Sequence, residues 1–270
     1  MAASPVLRLT HIGGPTVLLE VGGWRLLTDP TFDPPGERYH FGWGTASTKV
    51  AGPAVEVADL GPIDAVLLTH DHHADNLDGL GRALLADVPT VLTTEAGARR
   101  LGGAGVDGVV GLAPWATTRL EAPGKPTIDV VATPCRHGPP LSRPIVGEVV
   151  GFALTWPDQA RGAVWVSGDT VLYPDLLAVA DRVDVGLAVL HLGGVQFPVT
   201  GPVRYTLTAD EAVSLVSRLA PHTVVPVHYE GWSHFRQGRA VVEERLARAP
   251  AAVRDAFRFV PIGEPTELPV

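Results

Sequence analysis

The chain has one cysteine, Cys135, and one methionine among its 270 residues. A lone cysteine excludes any disulfide within the chain and any metal site built from several thiolates. A metal bound here must therefore be held by imidazole and carboxylate. Charge is sparse as well: 19% of residues are charged, and 21 Lys and Arg against 29 Asp and Glu give a formal net charge of −8. That balance argues against broad electrostatic binding to nucleic acid or to an anionic membrane, although it leaves room for a local basic patch. No apolar run is long enough to span a bilayer. Residues 1–9 lack the basic segment and long apolar stretch of a secretory signal. The expectation is a soluble cytoplasmic protein with no nucleic-acid partner and no stable membrane insertion. Its oligomeric state is not readable from this pattern.

What is abundant points to a folded chain. Hydrophobic residues make up 46%, and 30 glycines and 25 prolines are scattered among the apolar runs. This reads as many turns joining many short elements rather than low complexity. With no internal repeat and no linker, residues 1–270 are expected to form a single α/β domain, sheets inside and helices outside. There are also ten histidines.

Short β-prone runs open the chain at 6–10, 16–21 and 24–28, with Gly22-Gly23 as a hairpin turn. Asp29-Pro30 ends the third run. Residues 32–56 show no periodicity and read as a long loop near the surface or over a site. Strands are then expected at 63–68, 88–93, 128–132, 149–155, 163–167, 183–190 and 224–227, and a closing strand near 257–261. Helices are expected at 78–87, with Asp78 as N-cap and Arg82 as its i+4 partner, and at 95–101, 208–219 and about 239–249. Thr208 and Glu211 have the spacing of a capping box.

Chemistry-bearing residues cluster by position. His70, His137, Asp169, His191 and His228 each fall within a few residues of the end of an expected buried strand. Ligand sites in α/β proteins gather outside the carboxyl ends of strands, where a rigid sheet supports the loops. The densest segment is Thr69-His70-Asp71-His72-His73-Ala74-Asp75-Asn76-Leu77-Asp78. Several imidazoles and carboxylates on one tight loop suit zinc, whereas a solvated polar loop has no need of them. His11, His40 and His222 read as structural or surface residues. Cys135 is either a minor ligand or a small buried hydrophobe.

This order of motifs resembles the metallo-β-lactamase fold superfamily. The resemblance is carried by the His-rich loop, His137, Gly168-Asp169-Thr170 and Pro226-Val227-His228. It is also carried by Ile12-Gly13-Gly14-Pro15-Thr16-Val17-Leu18, Leu27-Thr28-Asp29-Pro30, Gly193-Gly194 and the helix before the last His. It covers nearly the whole chain and is nearest the branch containing ascorbate-6-phosphate lactonase and the N-acyl-phosphatidylethanolamine phosphodiesterase. It implies a four-layer αββα sandwich with metals at one edge. The metal loop of that family reads His-x-His-x-Asp-His, and this sequence departs from it twice: one residue is inserted between His70 and Asp75, and Asn76 stands in the place of the last His. Aligned from Asp75, the resemblance assigns His70, His73 and His137 to a first metal. It assigns Asp75 and His228 to a second, with Asp169 bridging. His72 is a spare that replaces the missing imidazole or exchanges with His73, and the second site is weak or empty if Asn76 leaves a vacancy.

The implied activity is metal-dependent hydrolysis of a small-molecule ester, lactone or amide. Zinc in two sites is expected, with manganese or iron as alternatives; the metal lowers the pKa of water so that hydroxide is supplied near neutral pH. Asp75 would orient that water as the catalytic carboxylate. Asp29 would hold a metal-loop group in place, or else merely cap the turn before Pro30. His191, Glu230, Trp232 and His234 are candidates for substrate contact or for supporting the ligands, with packing roles as the alternative. Two other readings stand beside this one. A phosphodiesterase of the same fold would need cations near the metals, where only Arg136 and Arg143 are offered. A non-catalytic metal-binding protein would have a degenerate second site.

Overall fold

The computed structural model describes residues 6–42 and 44–270; residues 1–5, the start of the segment inspected for a signal, lie outside it. β1 (Val6–Gly13), β2 (Thr16–Val21) and β3 (Trp24–Thr28) form an antiparallel meander, with Leu9 opposite Leu19 and Leu19 opposite Leu26. β4 (Arg38–Gly42) and β5 (Thr45–Thr48) form a separate hairpin. β6 (Ala65–Leu67), β7 (Thr90–Thr94) and β8 (Val109–Leu112) then add to β3 in parallel.

A second sheet follows. β9 (Thr117–Leu120), β10 (Ile128–Pro134), β11 (Val150–Thr155) and β12 (Ala163–Val166) are antiparallel neighbours, and β13 (Val185–His191) and β14 (Thr223–Val227) extend them in parallel. β15 (Thr266–Pro269) returns to pair with β1 at the edge of the first sheet.

The alternation of side chains along strands builds the layers. Leu26, Leu67, Val130, Phe152 and Val189 fill the space between the two sheets. Their chain neighbours point the other way. Leu27, Val66, Leu68 and Val91 meet Leu85 and Leu101, beside α1 (Gly79–Leu84) and within α2 (Glu95–Gly103). α3 (Arg143–Val146) is a single turn beside the loop after β10. On the far side, Trp165, Ala188 and Leu190 meet α4 (Pro174–Leu177), α5 (Val179–Arg182), α6 (Ala209–Leu219), α7 (Arg239–Leu246) and α8 (Ala251–Ala256). The result is the α/β, four-layer αββα sandwich expected. Each fully buried Leu, Val or Phe contributes roughly 1.5–3 kcal/mol, and β13, with every residue buried, reads as apolar throughout because both its faces are covered.

The capping box at the start of α6 forms as its spacing implies: Thr208 accepts from the Glu211 N–H, and Glu211 accepts from Thr208. Elsewhere the structure departs from expectation. The aperiodic stretch 32–56 contains the β4–β5 hairpin, whose strands are half exposed and so lack an apolar signature. The closing strand is β15, not 257–261, where Phe257 makes only a single bridge to Val224. The last expected helix, about 239–249, forms as α7 and ends at Leu246, and an unexpected α8 starts after Pro250, which cannot continue α7 because proline lacks the N–H a continuous helix would need. Asp78 does cap α1 by accepting from Gly81 N, and Arg82 N donates to the Asp78 carbonyl, but the Arg82 guanidinium donates to the Asp71 carbonyl and not to the Asp78 carboxylate. Among the described residues no helix is long and apolar enough to cross a membrane.

Candidate metal centre

Topology delivers the site. β12, β13 and β14 run in parallel, and β10 lies two antiparallel steps from β12, so all four end on the same side. The residues just beyond those ends include His137 after β10, Asp169 after β12, His191 at the end of β13 and His228 after β14. β6 contributes the loop carrying His70, His73 and Asp75 from the other sheet.

Two compact sets result. Donor atoms of His70, His73 and His137 all lie within 4.8 Å of one another, as do those of Asp75, Asp169 and His228, and all six residues are buried. Several of these donors have no protein partner: His70 Nε2, Asp75 Oδ1, both Asp169 oxygens and both His228 nitrogens. Buried polar atoms are normally paired, because an unpaired one forfeits its hydration. Orphans converging from three loops fit divalent cations. Within the first set, His137 Nε2 faces His73 Nδ1 at 3.1 Å, while His137 Nδ1 is occupied by the Tyr205 carbonyl at 2.7 Å. That leaves Nε2 as the nitrogen free to ligate.

The electrostatics agree with the geometry. Burial, reinforced by the neighbouring imidazoles, holds His70 and His73 far below the ordinary histidine range and brings His137 to about 4. All three are thus neutral, as ligation requires. Burial pushes the Asp169 carboxyl up to about 8 against the attraction of His228, with Asp75 and Asp29 adding to the rise. Asp75 is also penalised by burial, but His228 and His234 outweigh it and keep its carboxylate well below the usual range.

Beneath the ligand sets lies Asp29. Its carboxylate accepts from Thr69 N (2.7 Å), Thr69 Oγ1 (2.9 Å) and Asn76 Nδ2 (3.3 Å), and sits 3.2 Å from His191 Nε2. Thr69 Oγ1 in turn lies 3.0 Å from His70 Nδ1. Asp29 therefore ties down the metal loop instead of capping its own turn. It does so from a left-handed backbone, φ +32°, and His228 is held similarly at φ +57°. Such strained non-glycine backbone persists only where its surroundings enforce it.

The remaining sequence candidates separate. His72 is turned out of both sets: its Nε2 meets the Val146 carbonyl, and its ring fills the space where a side chain on Gly147, at φ +75°, would lie. Asn76 is buried, with Oδ1 unpartnered. His191 is fully buried between Ser167 and Asp29 and lines none of the pocket over the donor sets. Glu230 accepts from Gly14 N at 2.6 Å, and Trp232 stands edge-on to Tyr39 with the Lys49 ammonium 5.7 Å from its ring; both face a small cleft away from the two sets. His234, by contrast, places Nε2 3.0 Å from Asp75 Oδ2. His11 is buried against the Gly14 carbonyl, and His40 and His222 are exposed. The Cys135 thiol donates to the Ser167 carbonyl at 2.9 Å, is pushed up by burial, and belongs to neither set.

Above His73, Asp75 and His137 opens a pocket walled by Phe41, Val146, Val195, Phe197 and Tyr205. These wall residues escaped the sequence reading, because pocket walls carry no spacing rule. Phe41 in the aperiodic stretch and Phe197 after Gly193-Gly194 were the only signals available. No lysine or arginine among the described residues lines this pocket. Arg136 stacks on Tyr173, and Arg143 pairs with Glu148; both line an adjoining cleft that shares His137 and Val146 with this pocket.

A family model described as "Beta-lactamase superfamily domain" matches residues 24–229. The chain belongs to the β-lactamase superfamily. Relatives within it include a UPF0173 metal-dependent hydrolase of Methanoregula boonei, 30% identical over 227 residues, covering 84% of this chain and 83% of the relative. Another, from Pyrobaculum neutrophilum, is 26% identical over 270 residues, covering 97% of this chain and 100% of the relative. Among solved structures, an isothiocyanate hydrolase from Delia radicum gut bacteria has a TM-score of 0.78 at 22% identity, covering 96% of this chain and 98% of that one. A possible metal-dependent hydrolase from Veillonella parvula has a TM-score of 0.79 at 20% identity, covering 97% and 99%. These structural likenesses show that the β-lactamase superfamily fold is shared.

Proposed function

We propose that the protein is a metal-dependent hydrolase of small, uncharged, mainly apolar molecules carrying an ester, lactone or amide bond. The observation that carries the reading is the pairing of two buried donor sets with an apolar pocket directly above them. His70, His73 and His137 would hold one divalent cation; Asp75, Asp169 and His228 would hold a second. A donor set of imidazole and carboxylate suits zinc, and manganese or iron belong to the same range. When bound, such cations lower the pKa of water and polarise the electrophile.

The chain's own residues supply the rest. Asp75 is the carboxylate at the pocket floor, and its unpartnered Oδ1 orients the attacking water and accepts its proton. Tyr205, through its carbonyl, fixes the tautomer of His137, and Asp29 acts through Thr69 on His70. Phe41, Phe197 and Val195 seat the apolar part of the substrate and keep solvent out. The pocket itself carries no lysine or arginine, and Arg136 and Arg143 in the adjoining cleft are engaged with Tyr173 and Glu148, which favours a neutral substrate over a phosphodiester anion. One domain spanning residues 1–270, working in the cytoplasm, is the setting we propose.

The test is metal analysis of the purified protein followed by a hydrolysis panel of esters, lactones, amides, phosphodiesters and isothiocyanates, the last being small uncharged electrophiles acted on by one structural relative. Turnover of an apolar neutral substrate, abolished by chelation and by His70→Ala or Asp169→Ala, is expected. Full turnover by metal-free protein would overturn the reading, and so would a preference for phosphodiesters.

A further inference from the structure

We infer that His234 is an imidazole ligand of the second cation site, supplying from the C-terminal loop what position 76 does not. The inference rests on the two-cation reading above. Asn76 offers only its unpartnered Oδ1, its amide nitrogen being committed to Asp29 at 3.3 Å, and a carboxamide is a weaker zinc ligand than imidazole. On another side of Asp75, two imidazoles converge on one carboxylate oxygen. His228 Nε2 lies 3.5 Å from Asp75 Oδ2, and His234 Nε2 lies 3.0 Å from the same atom. Ligand atoms bound tetrahedrally at about 2.0–2.1 Å stand roughly 3.3 Å from one another. Each of the two imidazole nitrogens thus stands at the spacing of a neighbouring ligand from Asp75 Oδ2, and His234 reaches the compact set through Asp75.

The backbone explains why His234 is there. Gly231, at φ +89°, turns the chain back three residues after His228, and the returning segment is clipped to β5 by a Lys49–Trp232 bridge and by Ser233 N donating to the Thr48 carbonyl at 3.0 Å. The same strand supplies Ser47, whose Oγ is 2.5 Å from His234 Nδ1. A ligating histidine needs such a partner on its other nitrogen to fix tautomer and ring plane. Stacking on Phe197, with centroids 5.3 Å apart and planes at 18°, holds the ring. His234 is 2% exposed. A histidine fixed on both ring nitrogens and one face is pre-organised as a ligand.

The test counts cations. Full-length protein is stripped with chelator and reloaded with zinc or cobalt(II); retained equivalents and dissociation constants are measured by elemental analysis and cobalt absorption. Wild type should bind two equivalents. His234→Ala and His234→Gln should keep the first unchanged and weaken the second by more than about 100-fold, beyond the roughly 10–100-fold cost of losing an outer partner. Adding Asn76→His to His234→Ala should restore it. Gln still donates an amide hydrogen to Asp75, so a second equivalent retained by His234→Gln within 100-fold of wild type would overturn the ligand role while leaving the two-cation reading intact. Wild type that saturates below two equivalents would overturn both.

Discussion

Lys49 Nζ lies 2.8 Å from Asp78 Oδ2, and both side chains are buried. The pair joins the β4–β5 hairpin to the end of the metal loop. The same Asp78 caps α1 through Gly81 N and accepts from Asp33 N at 2.7 Å. Removing one member of a buried pair strands the other charge, which costs about 3–5 kcal/mol. Lys49→Met should therefore destabilise the protein by that amount in urea unfolding. Lys49→Met with Asp78→Asn, which keeps a capping oxygen and removes the stranded charge, should recover a large part of the loss. A single variant within about 0.5 kcal/mol of wild type would show that the pair adds nothing.

Asp29 holds the His70–Asp75 loop through Thr69 without lying in either donor set. Asp29→Asn preserves the shape but loses one acceptor and the charge. Metal affinity should fall about 10–100-fold, measured by competition with a chromophoric chelator, with the unfolding transition still cooperative. Unchanged affinity would reduce Asp29 to a structural role.

Phe41 stands at the pocket wall. Its side chain contributes to substrate only by apolar burial, about 1.5–3 kcal/mol when complete. Phe41→Ala should raise KM for apolar substrates about tenfold with kcat nearly unchanged, because binding is lost equally from ground and transition states. A fall in kcat at constant KM would place Phe41 in the chemistry instead.

Asp33 gives a pH signature. Burial raises its pKa, but the Leu80 N–H, the Tyr39 hydroxyl and the Gly79 N–H together outweigh burial and leave it depressed. A carboxylate depressed in the folded state stabilises fully above its unfolded pKa, about 4, and loses that stabilisation as pH falls through the lower folded value. Wild-type stability should thus drop as pH falls below about 4 more steeply than that of Asp33→Asn. Parallel curves would remove Asp33 from the account.

How much of this was legible beforehand depended on the kind of signal. β13 announced itself as a continuous apolar run ending in His191, and α6 by Thr208 and Glu211 at capping-box spacing. The edge strands β8 and β9 did not, because Gly111 and Arg119 on half-exposed strands leave no alternation to read. β15 was missed for another reason: its pairing with β1 joins the two ends of the chain.

The sequence by itself determined the chemistry available. One cysteine and ten histidines confined any metal to imidazole and carboxylate, and strand ends marked by His70, His137, Asp169 and His228 located one edge. Those are local properties, set by residue type and by short-range periodicity. Only the tertiary structure decided which neighbour faces which. It turned His72 toward Val146 and His73 toward His70 and His137, made Asp29 the anchor of a loop forty residues away, and set His234 against Asp75 across 159 positions. Such pairings are fixed by the packing of two sheets and the loops clipped to them, and no spacing along the chain encodes a distance through it.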